Sequence, residues 1–184
     1  LEATYGGAEA NVAVALAGYG CNSSFITALP EHEIGQSAVN ALRARGVDTS
    51  GILRQGERTG IYFLEQGASQ RSSKVIYDRT GSAVSRLRTG DIDWTDIFQG
   101  ADWFHWSGIT PALSESCADL TLEAVKAAQA AGLTVSVDLN FRKKLWPKQR
   151  ARRVMAPLME YVNICIGNEE DAEAMFGITS GSTD

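Results

Sequence analysis

Three features of this chain predict an α/β fold built on a parallel sheet. Short apolar runs alternate with amphipathic stretches at the spacing of βαβ units, which place helices over a parallel sheet. Glycines stand where the helical pattern stops, at Gly20, Gly46 and Gly132, because a helix ends most readily on a residue that tolerates left-handed backbone. Residues 59–79 break the alternation. They read as a β-hairpin set apart from an α/β core made of residues 1–58 and 80–184.

The elements follow in order. Ala8–Tyr19 is a helix of small residues, and Ser24–Leu29 is a strand. Ile34–Arg45 is a helix with Ile34, Ala38, Ala41 and Leu42 on one stripe, the period of an amphipathic helix. Gly60–Gln66 and Lys74–Arg79 are strands, joined by the polar, turn-rich Gly67–Ser73. Trp103–Ser107 reads as a buried strand, Glu115–Ala131 as a long helix and Thr134–Asp138 as a further strand. Lys148–Tyr161 begins as a helix just past Pro147, and Val162–Ile166 is the last strand. Asn168 is placed to cap a short helix whose first turn carries Glu169, Glu170 and Asp171. Such acids suit the positive end of a helix.

Composition bounds the function. With 184 residues, 44% hydrophobic and 21% charged, the chain is long and apolar enough for a packed core. A net charge of −5 argues against a nucleic-acid partner, since neutralising phosphates needs a basic surface. No apolar run approaches the roughly 20 residues of a membrane span. Cys21, Cys117 and Cys165 show neither metal spacing nor a disulfide framework, and buried free thiols in a cytoplasmic protein are expected.

Several motifs carry no function on this reading. Gly18-Tyr19-Gly20-Cys21-Asn22-Ser23 imitates a dinucleotide fingerprint. It follows a helix and precedes a strand, the reverse of what that motif requires. The basic residues between Arg142 and Arg153 read as a solvated helix face, with Arg142 the exception. His105 reads as a satisfied core residue, and His32 as an exposed loop residue.

Three segments carry candidate chemistry, each beside a plainer alternative. Gly6-Gly7 run straight into the first helix, with Asn11 one turn in. Paired glycines let backbone approach a ligand, and the helix's first amides point at it; an ordinary glycine turn is the alternative. In the hairpin, Val75, Tyr77 and Arg79 share a face, and Tyr62 and Leu64 share one on the other strand. That face can cover a polar ligand; a solvated edge hairpin is the alternative. Asp138, Asn140 and Arg142 recur at alternate positions where a parallel strand ends. Ligands of open α/β sheets bind there, and Arg142 offers a planar fork for carboxylate or phosphate. For Gly167–Asp171, helix capping is already a sufficient account.

The runs GGAEANVA, RTGIYFLE, KVIYDRTGSA, HWSGITPALSE, DLNFRKKLW and NEEDAEAMFG, in that order along the chain, resemble the PfkB (ribokinase-like) carbohydrate kinases, and within them the 2-keto-3-deoxygluconate kinases. The resemblance implies a ribokinase-like α/β/α core with a β-sheet lid, using ATP and Mg²⁺ to phosphorylate a sugar acid. It implies substrate contacts at Gly6, Gly7, Asn11, Tyr62, Tyr77, Arg79 and Arg142, and Asn140, Asn168 and Asp171 on the nucleotide side. Two departures stand out. Asp171 occupies the place of the glutamate in the family's Asn-x-x-Glu motif. The C-terminal Gly-Ala-Gly-Asp motif, source of the general base and anion hole, does not occur between Leu1 and Asp184, nor does the family's first strand. The expectation is therefore a sugar-binding half and lid, with the general base beyond Asp184 and most of the nucleotide-binding part absent. Another sugar kinase of fructokinase type, or a non-catalytic sugar-acid-binding protein, are the alternatives. The hairpin's consecutive Ile61, Tyr62, Phe63 and Leu64 put apolar groups on both faces, so a homodimer paired through the lid is expected.

Overall fold

The computed structural model describes residues 3–179. Its contacts divide the chain into two compact units. The first holds Ala13–Arg86; the second holds Gly6–Val12 and the residues from Leu87 on.

The first unit contains most of helix α1 (Ala8–Gly18), followed by Gly20 in the left-handed region at φ 85°. Strands β1 (Thr27–Leu29) and β2 (Ile52–Arg54) pair in parallel, with Thr27 opposite Ile52. Helix α2 (Glu33–Arg43) makes the crossover between them, and Gly46 ends it at φ 81°. Ala38, Val39 and Leu42 of α2 are buried, as are Ala28 and Leu29 of β1. The stripe is rotated from the expected one: Val39 is inside, and Ile34, in the first turn, is exposed. Strand β2 was not anticipated; three residues are too few to show a period. The expected Ser24–Leu29 strand shortens to β1, preceded by an isolated parallel bridge from Ser24 to Asp48.

Strands β3 (Ile61–Glu65) and β4 (Lys74–Asp78) form the expected antiparallel hairpin. Tyr62 lies opposite Tyr77 and Leu64 opposite Val75. One face therefore carries Tyr62, Leu64, Val75 and Tyr77, and the other Ile61, Phe63 and Ile76. Arg58 fixes the hairpin's base. Its guanidinium pairs with the Asp78 carboxylate at 2.6 Å and donates to the carbonyls of Asp78 and Thr80 at 3.2 and 3.0 Å.

The second unit is built on a parallel sheet of three strands: β5 (Trp103–Ser107), β6 (Thr134–Asp138) and β7 (Ile164–Ile166), in that order. Helix α5 (Glu115–Ala130) joins β5 to β6, and α6 (Lys148–Met159) joins β6 to β7. Short helices α3 (Trp94–Ile97) and α4 (Ile109–Ala112) flank β5, and α7 (Glu169–Phe176) follows β7. The four-residue helices escaped the sequence reading because one turn has no periodicity.

Alternation gives the sheet two unlike faces. Phe104, Trp106, Val135 and Val137 share one, and Val135 and Val137 are 0% exposed. Buried Leu120, Ala124 and Val125 of α5 belong to the same core. Trp94, Phe98 and Phe104 pack with ring centroids 5.2–6.0 Å apart. The opposite face carries Trp103, His105, Ser107, Ser136 and Asp138. Trp103 is 53% exposed, so β5 is not buried throughout. Its place at the start of β5 leaves the ring in solvent, while its indole N–H donates to Ser136 Oγ at 2.7 Å. The cysteines also depart from expectation: Cys117 is buried in α5, but Cys21 and Cys165 are exposed, lying in a loop and on the last strand of the sheet. No helix among the described residues is long and apolar enough to cross a membrane.

Candidate active site at the strand ends

The second unit holds a cleft of about 580 Å³ outside the carboxyl ends of β6 and β7. Asp138, Asn140, Phe141 and Arg142 line one side, and Ile166, Gly167, Asn168, Glu170 and Asp171 the other. The four sequence candidates Asn140, Arg142, Asn168 and Asp171 thus share one cavity.

Backbone packing holds this rim in place. Leu139 N–H donates to the Ile166 carbonyl at 2.8 Å, and Gly108 N–H to the Asp138 carbonyl at 2.8 Å. A Cβ on Gly108 would collide with the Leu139 carbonyl oxygen, and one on Gly167 would meet Leu139 Cδ1 at 2.7 Å. Both glycines let a neighbouring segment come close to Leu139. The next residue, Asn140, has φ 43°. A non-glycine residue in that region costs free energy on the order of 1 kcal/mol, and such residues concentrate at functional sites. Asn is among the side chains that tolerate it best. Asn140 Nδ2 also donates to Ser107 Oγ at 3.3 Å, and Ser107 is fully buried.

Opposite, Asn168 Oδ1 accepts from Asp171 N–H at 2.7 Å and caps α7. That bond occupies its carbonyl oxygen and leaves its NH₂ donors for another group. Arg142 is exposed, and no hydrogen bond or ion pair engages its guanidinium among the described residues. The cleft therefore presents one cation, two amides and the carboxylates of Asp138, Glu170 and Asp171. Glu170 was missed as a site residue, because its place in the first turn of α7 had a sufficient explanation in helix capping.

Gly6, Gly7 and Asn11 belong to the same unit, at the entry of α1. Gly7 carbonyl accepts from Asn11 N–H at 2.8 Å, which starts the helix. Among the described residues, a Cβ on Gly7 would meet Ala10 Cβ at an ordinary 3.6 Å. Packing among these residues thus leaves room for a Cβ at Gly7, unlike at Gly108. Glu9, two residues on, accepts from Thr110 Oγ1 at 2.6 Å. His105 Nδ1 lies 2.8 Å from Ser136 Oγ. Because that hydroxyl already accepts from Trp103, it can donate to an unprotonated Nδ1. Burial pushes the His105 pKa down from its ordinary value, partly opposed by the carboxylates of Glu9 and Asp138.

Tyr62, Tyr77 and Arg79 lie in the hairpin of the first unit. The two tyrosine rings are 6.3 Å apart, and the Arg79 guanidinium lies 4.2 Å over the Tyr77 ring. That stacking fixes the cation on the face that carries Tyr62, Leu64 and Val75.

A profile of pfkB family carbohydrate kinases matches residues 1–184. The crystal structure of 2-dehydro-3-deoxygluconokinase from Thermotoga maritima superposes with a TM-score of 0.94 at 52% identity, over 98% of this chain and 56% of that one. 2-Dehydro-3-deoxygalactonokinase of Haloferax volcanii is 38% identical over 95% of this chain and 55% of its own length. Fructokinase with bound ATP from Xylella fastidiosa superposes with a TM-score of 0.74 at 32% identity, over 87% of this chain and 50% of that one. The chain thus spans about half the length of the curated relatives it matches.

Proposed function

This chain belongs to the pfkB family of carbohydrate kinases, and from that premise we propose that its protein transfers the γ-phosphate of ATP to a 2-keto-3-deoxy sugar acid of the gluconate type. The observation that carries the reading is the cleft at the ends of β6 and β7, where the Arg142 guanidinium, unengaged among the described residues, lines the same cavity as the amides of Asn140 and Asn168. A phosphoryl or carboxylate group needs such a cation and such donors. The name of the Thermotoga maritima relative supports the sugar acid, and the ATP complex of the fructokinase relative supports the nucleotide.

Phosphoryl transfer asks the protein mainly for positioning and charge stabilisation. On this reading Gly6, Gly7 and Asn11 receive the sugar hydroxyls, since glycine carries no Cβ to keep a ligand from the backbone. Tyr62, Tyr77 and Arg79 cover the substrate, with Arg79 on its carboxylate. Arg142 holds a second anionic group, either that carboxylate or the transferring phosphate. Asn140, Asn168 and Asp171 face the nucleotide. None of these residues is assigned the hydroxyl's proton.

Mg²⁺ accompanying the nucleotide would supply positive charge to offset the phosphates. The carboxylates of Glu170 and Asp171 are hard oxygen donors of the kind Mg²⁺ takes, commonly through its waters. Among the described residues no three His, Cys, Asp or Glu side chains form a ready cage.

The fructokinase match carries a second reading, a neutral ketose as substrate. The hairpin carries a further proposal, that two copies pair through it. Ile61, Phe63 and Ile76 on one face and Tyr62, Leu64 and Tyr77 on the other are all 42–54% exposed, and a partner hairpin would bury one of those faces. Phosphorylation of a sugar panel by the full-length protein tests the function. Turnover of 2-keto-3-deoxygluconate above fructose supports the sugar-acid reading, and the reverse order replaces it. Sedimentation tests the pairing, and a strict monomer at micromolar concentration removes it.

A further inference from the structure

We propose that Glu9 and Thr110 act as a latch that positions the Gly6–Gly7 turn against the segment leaving β5. Glu9 is thereby a positioning residue for sugar binding, an inference that rests on the sugar-kinase reading above.

An acidic residue in the first turn of a helix is ordinarily explained by the helix dipole alone. Glu9 does something more. Its Oε1 accepts a 2.6 Å hydrogen bond from Thr110 Oγ1, across 101 positions of sequence. Hydrogen bonds to a charged acceptor are the stronger kind. Thr110 is the second residue of α4, which begins directly after Ser107-Gly108.

That junction is itself tightly held. Gly108 N–H donates to the Asp138 carbonyl at 2.8 Å, and its missing Cβ leaves room for the Leu139 carbonyl. Ser107 Oγ accepts from Ile109 N–H at 3.4 Å and from Asn140 Nδ2 at 3.3 Å. The latch therefore ties the glycine turn to the same backbone junction that holds Asn140 on the cleft rim. At the other end the Gly6–Gly7 turn opens α1, where the Gly7 carbonyl accepts from Asn11 N–H at 2.8 Å. Glu9 is two residues past Gly7, so its bond to Thr110 is a side-chain tie from the start of α1 to a segment distant in sequence.

The test uses the full-length protein with the best substrate of the sugar panel. Thr110→Val removes the hydroxyl at nearly constant shape, and Glu9→Ala removes the acceptor. Each is expected to raise KM for the sugar roughly fivefold to tenfold, less than the roughly tenfold or more of a charge-assisted bond made to the ligand itself, because the sugar feels this bond only through the turn. KM for ATP and kcat should stay within about twofold. Thr110→Ser and Glu9→Gln keep a donor and an acceptor and should stay near wild type. The double variant should be no worse than either single one, because both remove the same bond.

A merely structural latch would lower the melting temperature and the active fraction, and leave KM alone. An unchanged sugar KM in Thr110→Val, or additive losses in the double variant, overturns the proposal. If Thr110→Val does not fold, Glu9→Ala against Glu9→Gln decides on the same readout. A wild-type enzyme that prefers a neutral sugar sinks the sugar-acid reading alone, and the same variants then report on that sugar's KM.

Discussion

The cleft rim and the hairpin are both candidate ligand surfaces, and they are built in opposite ways. At the rim, Leu139 is 2% exposed and bonded through its backbone to β7, and glycines at Gly108 and Gly167 let neighbouring segments close on it. In the hairpin every residue of β3 is exposed, and order comes from cross-strand pairing and the Arg58 clamp. The rim presents polar groups at set positions on a rigid scaffold. The hairpin presents an aromatic and cationic face with little buried beneath it, the profile of elements that open at low free-energy cost. Under the function proposed above, the rim is the part that fixes reacting groups and the hairpin the part that admits and covers a substrate.

The sharpest break between the two regions comes from adding bulk. Gly108→Val is expected to cost about 3 kcal/mol or more, since the new side chain overlaps the Leu139 carbonyl and packed backbone cannot give way cheaply. Phe63→Ser in the hairpin should cost the isolated protomer within about 0.5 kcal/mol, because Phe63 is 50% exposed. Thermal or chemical denaturation of both variants checks the contrast. Equal losses would mean that the hairpin is packed in solution, as in a dimer.

Removing a cation from each region compares their roles. Arg79→Ala should lower kcat/KM for the sugar acid by roughly tenfold to a hundredfold, the scale of one or two charge-assisted hydrogen bonds, and affect fructose much less. Arg142→Ala should lower turnover of every sugar if it holds the phosphate, and follow the Arg79 pattern if it holds the carboxylate. Steady-state kinetics on both sugars separates these outcomes. An Arg79→Ala variant that loses both sugars equally, or neither, removes the carboxylate clamp.

Hydrogen exchange sharpens the comparison without substitution. Amides of β6 should exchange through global unfolding, and those of β3 and β4 much faster, through local opening. Sugar acid should slow the hairpin amides more than those of β6.

The smallest effect is set by pH. His105 titrates below its ordinary value of 6.5 in the folded chain. The unfolded chain therefore binds the proton first as pH falls. Stability from this group is complete above about pH 6.5 and declines from there down to the folded value. Glu9 and Asp138 face His105 and limit the shift. His105→Gln should flatten the dependence of unfolding free energy between pH 7 and 5, and an unchanged slope would exclude His105 as its source.

Much of this molecule was determined by sequence alone. The hairpin, β5, β6 and the Asn168 cap were legible because period-2 patterns and capping residues act over a few neighbouring positions. So was the grouping of Asp138, Asn140 and Arg142, since residues at alternate places leaving one strand tend to share a side. Tertiary structure alone decided the rest. The short elements β2, α3 and α4 have too few residues for a period, and only pairing or packing makes them. Trp103 is exposed because it opens β5, and Cys165 because no strand pairs beyond β7 among the described residues; no local pattern encodes either. The bond from Thr110 to Glu9 joins positions 101 residues apart. Each side chain has an ordinary local explanation, and only the folded chain brings the hydroxyl to the carboxylate.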